Sequence, residues 1–132
     1  MNHDLAARAG KKVIIVFTDG DDNSSMLTAD DVIQRAKTLG VPIYTIAEGE
    51  ALDSLQLLDQ LANMSRSTGG RPFVVRKLSD IAAVFRKVSE DLMHGYLLAF
   101  QPPSGDDRGW HAIKVSTAKG YQIRAREGYY AE

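Results

Sequence analysis

The sequence predicts an α/β protein, a partial doubly wound, Rossmann-like parallel sheet with a C-terminal antiparallel β meander. Three observations carry the prediction. Val13 to Phe17 is a continuous apolar, largely β-branched run, the composition of a strand covered on both faces. Segments with helical apolar spacing then alternate with short strand-like runs as far as Gly95, as in parallel βαβ units with right-handed crossovers. Beyond Gly95 no helical pattern separates the strand-like runs, so neighbouring strands there are expected to pair antiparallel.

The elements follow in order. Residues 1–10 are polar and read as a flexible N-terminal segment without the apolar stretch of a signal peptide. The first strand, Lys12–Thr18, runs into a polar loop, Thr18-Asp19-Gly20-Asp21-Asp22-Asn23. Thr28 is placed to cap a helix whose first turn holds Asp30 and Asp31. Val32, Ile33, Ala36 and Leu39 give that helix an apolar face, and Gly40 ends it. Val41–Ala47 reads as the second strand. Leu55, Leu58 and Ala62, flanked by Leu57 and Leu61, mark a second helix that stops at Thr68-Gly69-Gly70. Pro72–Val75 is the third strand. Ile81, Val84, Phe85, Val88 and Leu92 mark a third helix ending near Gly95. In the tail, Tyr96–Gln101, Trp110–Ser116 and Tyr121–Arg126 read as strands, with turns at Pro102-Pro103-Ser104-Gly105 and Lys119-Gly120. The expected division is therefore 1–10, an α/β unit over 11–95, and a β tail over 96–132 packed on it.

Composition narrows the function classes. The 132 residues suffice for one domain with a real core, and 44% apolar with 25% charged residues is an ordinary globular balance. Sixteen basic against 17 acidic residues leave a net charge of −1, with no bulk attraction to nucleic acid or anionic membrane. No apolar run approaches the ~18 residues that span a bilayer. The absence of cysteine excludes a disulfide scaffold, a thiolate zinc site and a cysteine nucleophile.

Ligands of open parallel sheets sit at the carboxyl ends of strands, where Asp19 falls. Asp21, Asp22, Asn23, Ser24 and Ser25 follow at once, an oxygen-rich set suited to a hard cation such as Mg²⁺ or Ca²⁺. The plainer reading is a polar loop whose side chains cap backbone groups.

The segment Val13-Ile14-Ile15-Val16-Phe17-Thr18-Asp19-Gly20 resembles the fourth strand and TDG-type loop of a von Willebrand factor A domain. The elements after it resemble that fold in the same order. The tail, with Tyr96 to Pro102 and Arg124 to Tyr130, is similar to a bacterial von Willebrand factor A-related subgroup. The resemblance covers nearly the whole chain from Lys11 onward and implies the C-terminal half of such a domain, a binding or adhesion module and not an enzyme. The family's metal-ion-dependent adhesion site also takes ligands from an Asp-x-Ser-x-Ser loop and a middle-loop Thr. This chain has no Asp-x-Ser-x-Ser, so Asp19 alone carries over, with Asp21 and Asp22 as auxiliary candidates. An incomplete site implies weak binding of Mg²⁺ or Ca²⁺ and no other cofactor. The implied partner is a protein. The compartment is not specified by the chain; the resemblance implies export or the cell surface if the protein extends N-terminally.

Two other motif readings compete. Asp19-x-Asp21-x-Asn23 with Asp30 imitates an EF-hand loop, but Ser24 stands where that loop needs Gly and a strand enters it. Asp19-x-Asp21 after a strand also resembles the haloacid dehalogenase phosphotransferase loop, giving an alternative function as a small phosphatase with Asp19 as nucleophile and Asp21 as acid/base. That chemistry needs a downstream acidic pair, which the αβ region does not offer. His3, His94 and His111 form no spaced constellation, and Gly69-Gly70 is not a phosphate loop. Finally, Val13 to Phe17 carries no charge and no proline. As an edge strand it would invite a second chain, so a homodimer through this strand is expected, the alternative being that the Tyr96–Arg126 meander or the Asn2–Gly10 segment folds back and covers the edge within one chain.

Overall fold

β1 is Ile14–Thr18, β2 Ile43–Glu48 and β3 Pro72–Val75; they form one parallel sheet in the order β1-β2-β3. Residues 10–20, 28–103, 105 and 108–131 are described by the structure, a computed structural model. Ile14 pairs with Ile43 and Thr18 with Ala47, while Thr45 pairs with Pro72 and Glu48 with Val75. The parallel arrangement of the three strands is the one the alternating pattern predicts.

Helix α1 spans Ala29–Leu39, α2 Leu55–Ser67 and α3 Ile81–His94. The start of α1 is a capping box: Thr28 Oγ1 accepts from the Asp31 amide at 3.2 Å, and the Asp31 carboxylate accepts from the Thr28 amide at 3.1 Å. Its end is Gly40, left-handed at φ 65°, whose amide bonds back to Ala36 and Lys37. Pro42 has no N–H, and β2 begins just after it, at Ile43.

Side chains alternate across the sheet. Ile43 joins Ile33, Ala36 and Met64 under α1 and α2, with Ile14 and Val16 packed alongside. Tyr44 and Ile46 join Val75, Val84 and Val88 under α3. Ile43 and Ile46 are fully buried, each worth roughly 1.5–3 kcal/mol of apolar transfer. A buried hydroxyl group joins α2 to β2. Thr45 Oγ1 lies 2.9 Å from Ser65 Oγ and 3.2 Å from the Leu61 carbonyl, and Thr68 Oγ1 accepts from the Ile43 amide at 2.9 Å. Gly69 supplies the left-handed turn after α2, at φ 85°, whereas Gly70 is required for approach: a Cβ there would overlap the Ile43 carbonyl.

The tail departs from the predicted three-stranded meander. Its ladder has two strands, β4 Trp110–Ala112 and β5 Gly128–Tyr130, paired antiparallel with His111 opposite Tyr129. Tyr96–Gln101 and Tyr121–Arg126 are not strands. The cause lies in side-chain anchors. Arg124 is drawn to Asp91 of α3 at 2.6 Å, and Glu127 to Lys37 of α1 at 3.2 Å. Lys37 also sits 4.8 Å above the Trp110 ring, and Gln34 bonds the Tyr130 hydroxyl. The Arg124 contact holds the segment before β5 against α3, whereas the contacts to Trp110 and Tyr130 fasten the β4–β5 ladder itself to α1.

Candidate functional site

Asp19 follows β1 directly and is exposed at the carboxyl edge of the sheet. Its backbone carbonyl accepts from the Ala51 amide at 2.8 Å. Ala51 is fully buried in the short 3₁₀ turn Gly49–Asp53 that follows β2. The Gly20 amide turns back onto Thr18 Oγ1 at 3.2 Å. Gly20 has φ 106°, and a Cβ there would stand 2.9 Å from the Ala51 nitrogen. The loops after β1 and β2 are thus locked together, and Asp19 stands beside their junction. Gly49 and Ala51, which make this junction, were missed in the sequence reading. The available signal was Gly49-Glu50 directly after a buried strand.

Asp21 and Asp22 lie outside the described residues, as do Asn23 to Ser25 of the same loop. Among the described residues no group of three or more His, Cys, Asp or Glu side chains is arranged to hold a metal ion. One carboxylate does not offset dehydration of a hard cation, which takes six or more oxygen ligands. Of the three candidate ligands, only Asp19 lies among the described residues. The phosphotransferase alternative pairs Asp19 with Asp21, so its second member has no described position.

The histidines are dispersed. His94 Nδ1 lies 2.9 Å from the Glu90 carbonyl at the end of α3, and His111 stacks on Tyr129 at 5.2 Å in the tail. His3 lies outside the described residues.

The flank of β1 is a second candidate surface. Among the described residues β1 pairs only with β2, so its other edge has no ladder partner. Ile14 and Val16 pack under α1, but Ile15 and Phe17 on the opposite face are 37% and 47% exposed, because the helix on that side covers β2 and β3.

At the opposite end of the strands, Asp91 gathers a charged cluster. Arg124 Nη2 bonds it at 2.6 Å, Arg71 Nη1 lies 3.9 Å away, and the Tyr44 hydroxyl 3.5 Å away. Burial, then the nearby Asp91 carboxylate, pushes the Tyr44 phenol above its ordinary value of 10. This cluster fastens the tail and stands apart from Asp19.

Residues 1–87 match the family model described as von Willebrand factor type A domain. Among solved structures, the chain is similar to an uncharacterized membrane spanning protein from Vibrio fischeri, at a TM-score of 0.54 and 23% identity. That likeness covers 62% of this chain and 47% of the other, so this chain spans about half of that protein's length and shares its fold. None of the curated proteins matches the chain.

Proposed function

Because the chain belongs to the von Willebrand factor type A domain family, we propose that it is a protein-binding module of adhesion type and not an enzyme. The observation that carries the reading is the flank of β1, which pairs with no other strand among the described residues and has Ile15 and Phe17 exposed beside it. An edge of this kind recruits a further strand through its unpaired backbone groups. The protein that docks there is most simply a second copy, giving a homodimer through the Val13–Phe17 strand.

Asp19 sits at the end of the same strand and serves as the carboxylate ligand of an incomplete metal-ion-dependent adhesion site, with Asp21 and Asp22 as auxiliary ligands. Mg²⁺ or Ca²⁺ binds there weakly, for want of ligands. Titration calorimetry is expected to give no saturation at micromolar cation. A micromolar dissociation constant that disappears in Asp19→Ala overturns the incomplete site.

Amide exchange tests the binding edge. The Ile15 and Phe17 amides are expected to gain protection as protein concentration rises, while exposed helical amides stay unchanged. Concentration-independent exchange at both positions counts against docking on β1. The alternative phosphatase reading predicts Mg²⁺-dependent phosphate ester hydrolysis that is lost in Asp19→Asn; no such activity is expected.

A further inference from the structure

At the amino end of β3, beside the Asp91 cluster, lies a cavity of about 480 Å³ between the α/β unit and the tail. The last turn of α2 gives it Arg66, the link into β3 gives it Arg71, and the tail gives it Gln122 and Arg124. Pro72 and Ile123 add apolar surface, and none of the described lining residues is acidic. Arg66 alone would be a cation suited to a helix end. With Arg71 and Arg124 beside it, three guanidinium groups from separate parts of the chain line one space.

Two of the three are held in place without being used up. The Arg71 guanidinium lies 5.1 Å over the Phe73 ring, which stacks in turn on Tyr44 at 6.5 Å. Arg71 Nη1 is 3.9 Å from the Asp91 carboxylate, close enough for attraction and too long for a hydrogen bond. Asp91 accepts one bond from Arg124 Nη2 at 2.6 Å, whereas a guanidinium carries five N–H donors. Asp91 and Phe73 therefore orient the two groups and leave donors of both for a ligand.

The charges specify the ligand. Three guanidinium groups against the single Asp91 carboxylate leave two positive charges in excess, on a chain whose net charge is −1. A phosphate monoester, at about −1.5 to −2 near neutral pH, matches that excess better than one carboxylate does. Arginine forks also meet phosphate oxygens two at a time. The cavity falls within the roughly 300–1,000 Å³ of small-molecule sites, so the esterified group has room beside the phosphate.

We propose that this cavity binds the dianion of a small phosphate monoester, with Arg71 and Arg124 on the phosphate, Arg66 neutralising it from the rim and Gln122 meeting the esterified group. The bound ligand bridges the α/β unit and the tail, adding to the fastening that Asp91 gives. The site stands at the opposite end of the strands from Asp19 and does not depend on docking at β1.

Titration calorimetry of the whole chain with glucose 6-phosphate tests the site, with glucose 6-sulfate, a monoanion of like shape, and glucose as controls. Saturable binding of the phosphate is expected, at least about tenfold weaker binding of the sulfate, and none of glucose. Arg71→Gln is expected to weaken phosphate binding about tenfold, the loss of one charge-assisted hydrogen bond. Arg66→Gln, at an exposed position, should weaken it about threefold, and Arg35→Gln on α1 should leave it unchanged. Saturating glucose 6-phosphate should also slow tryptic cleavage after Arg126, which does not line the cavity. Absence of glucose 6-phosphate binding, equal affinity for the sulfate, or equal effects of Arg71→Gln and Arg35→Gln overturns the proposal. A phosphoserine peptide that binds at least about tenfold tighter than glucose 6-phosphate overturns the small ligand and assigns the site to phosphorylated protein.

Discussion

The Asp19 carbonyl accepts a 2.8 Å hydrogen bond from the Ala51 amide, joining the loop after β1 to the turn after β2. The position of the candidate ligand is thus tied to a backbone contact between two loops.

Gly20 makes that contact feasible. Its φ of 106° is unfavourable for other residues, and a Cβ would press on the Ala51 nitrogen at 2.9 Å. Gly20→Ala is expected to lower stability by about 1–3 kcal/mol in urea unfolding and to shift the Asp19 and Ala51 amide resonances together. An unchanged midpoint and spectrum would refute the junction.

The buried hydroxyls are expected to act as a unit. Thr45→Val strips Ser65 of its 2.9 Å partner inside the core, at a cost of about 1–3 kcal/mol. Adding Ser65→Ala to that variant should cost less than Ser65→Ala does in the original chain, because the orphaned hydroxyl goes with it. Strict additivity in the double-mutant cycle would mean that the two groups do not interact.

The capping box predicts a pH effect. Hydrogen bonds from the Thr28 hydroxyl and amide hold the Asp31 carboxyl below its ordinary value of 3.8. A depressed folded-state value gives stability that is present above pH 3.8 and lost as pH falls through the lower folded value. Carboxyl-carbon titration by NMR should place the Asp31 midpoint below 3.8 and show Thr28→Ala moving it upward. No movement would remove Thr28 as the cause.

Tail docking rests on Asp91, whose side chain is 15% exposed and faces Arg124, Arg71 and Tyr44. Asp91→Ala is expected to cost about 1–3 kcal/mol and to speed tryptic cleavage after Arg124 and Arg126. The raised Tyr44 value gives a contribution that is full below pH 10 and lost as pH rises through the folded-state value. Tyr44→Phe should therefore show a smaller alkaline loss of stability. Equal tryptic rates would show that Asp91 does not hold the tail.

The α/β unit was legible because each of its elements is written locally. Val13 to Phe17 shows its strand by composition, although the expected cover on both faces is not met, with Ile15 and Phe17 exposed; Thr28 and Gly40 mark the ends of α1, and Pro72–Val75 emerged with its predicted bounds. The exposed place of Asp19 at the sheet edge was legible for the same reason, as the residue after a strand. The tail was not, because its organisation is set by partners distant in sequence. Arg124 finds Asp91 across 33 positions, and Tyr121–Arg126 alternates like a strand without a neighbour to pair with. The junction of Asp19 with Ala51 was hidden likewise, since a backbone contact between two loops leaves no periodic trace.

The central claim is that the β1 edge is the surface on which a protein partner docks. Static light scattering over a range of concentrations, on the original chain and on Ile15→Lys, tests it most directly. Ile15 lies on the open side of β1 at 37% exposure, so a lysine there can reach solvent in the monomer but puts charge at the centre of the contact. The account predicts a mass that rises from one chain to two with concentration, and an Ile15→Lys variant that remains one chain. A monodisperse monomer at high concentration, or a dimer that Ile15→Lys leaves intact, would contradict it.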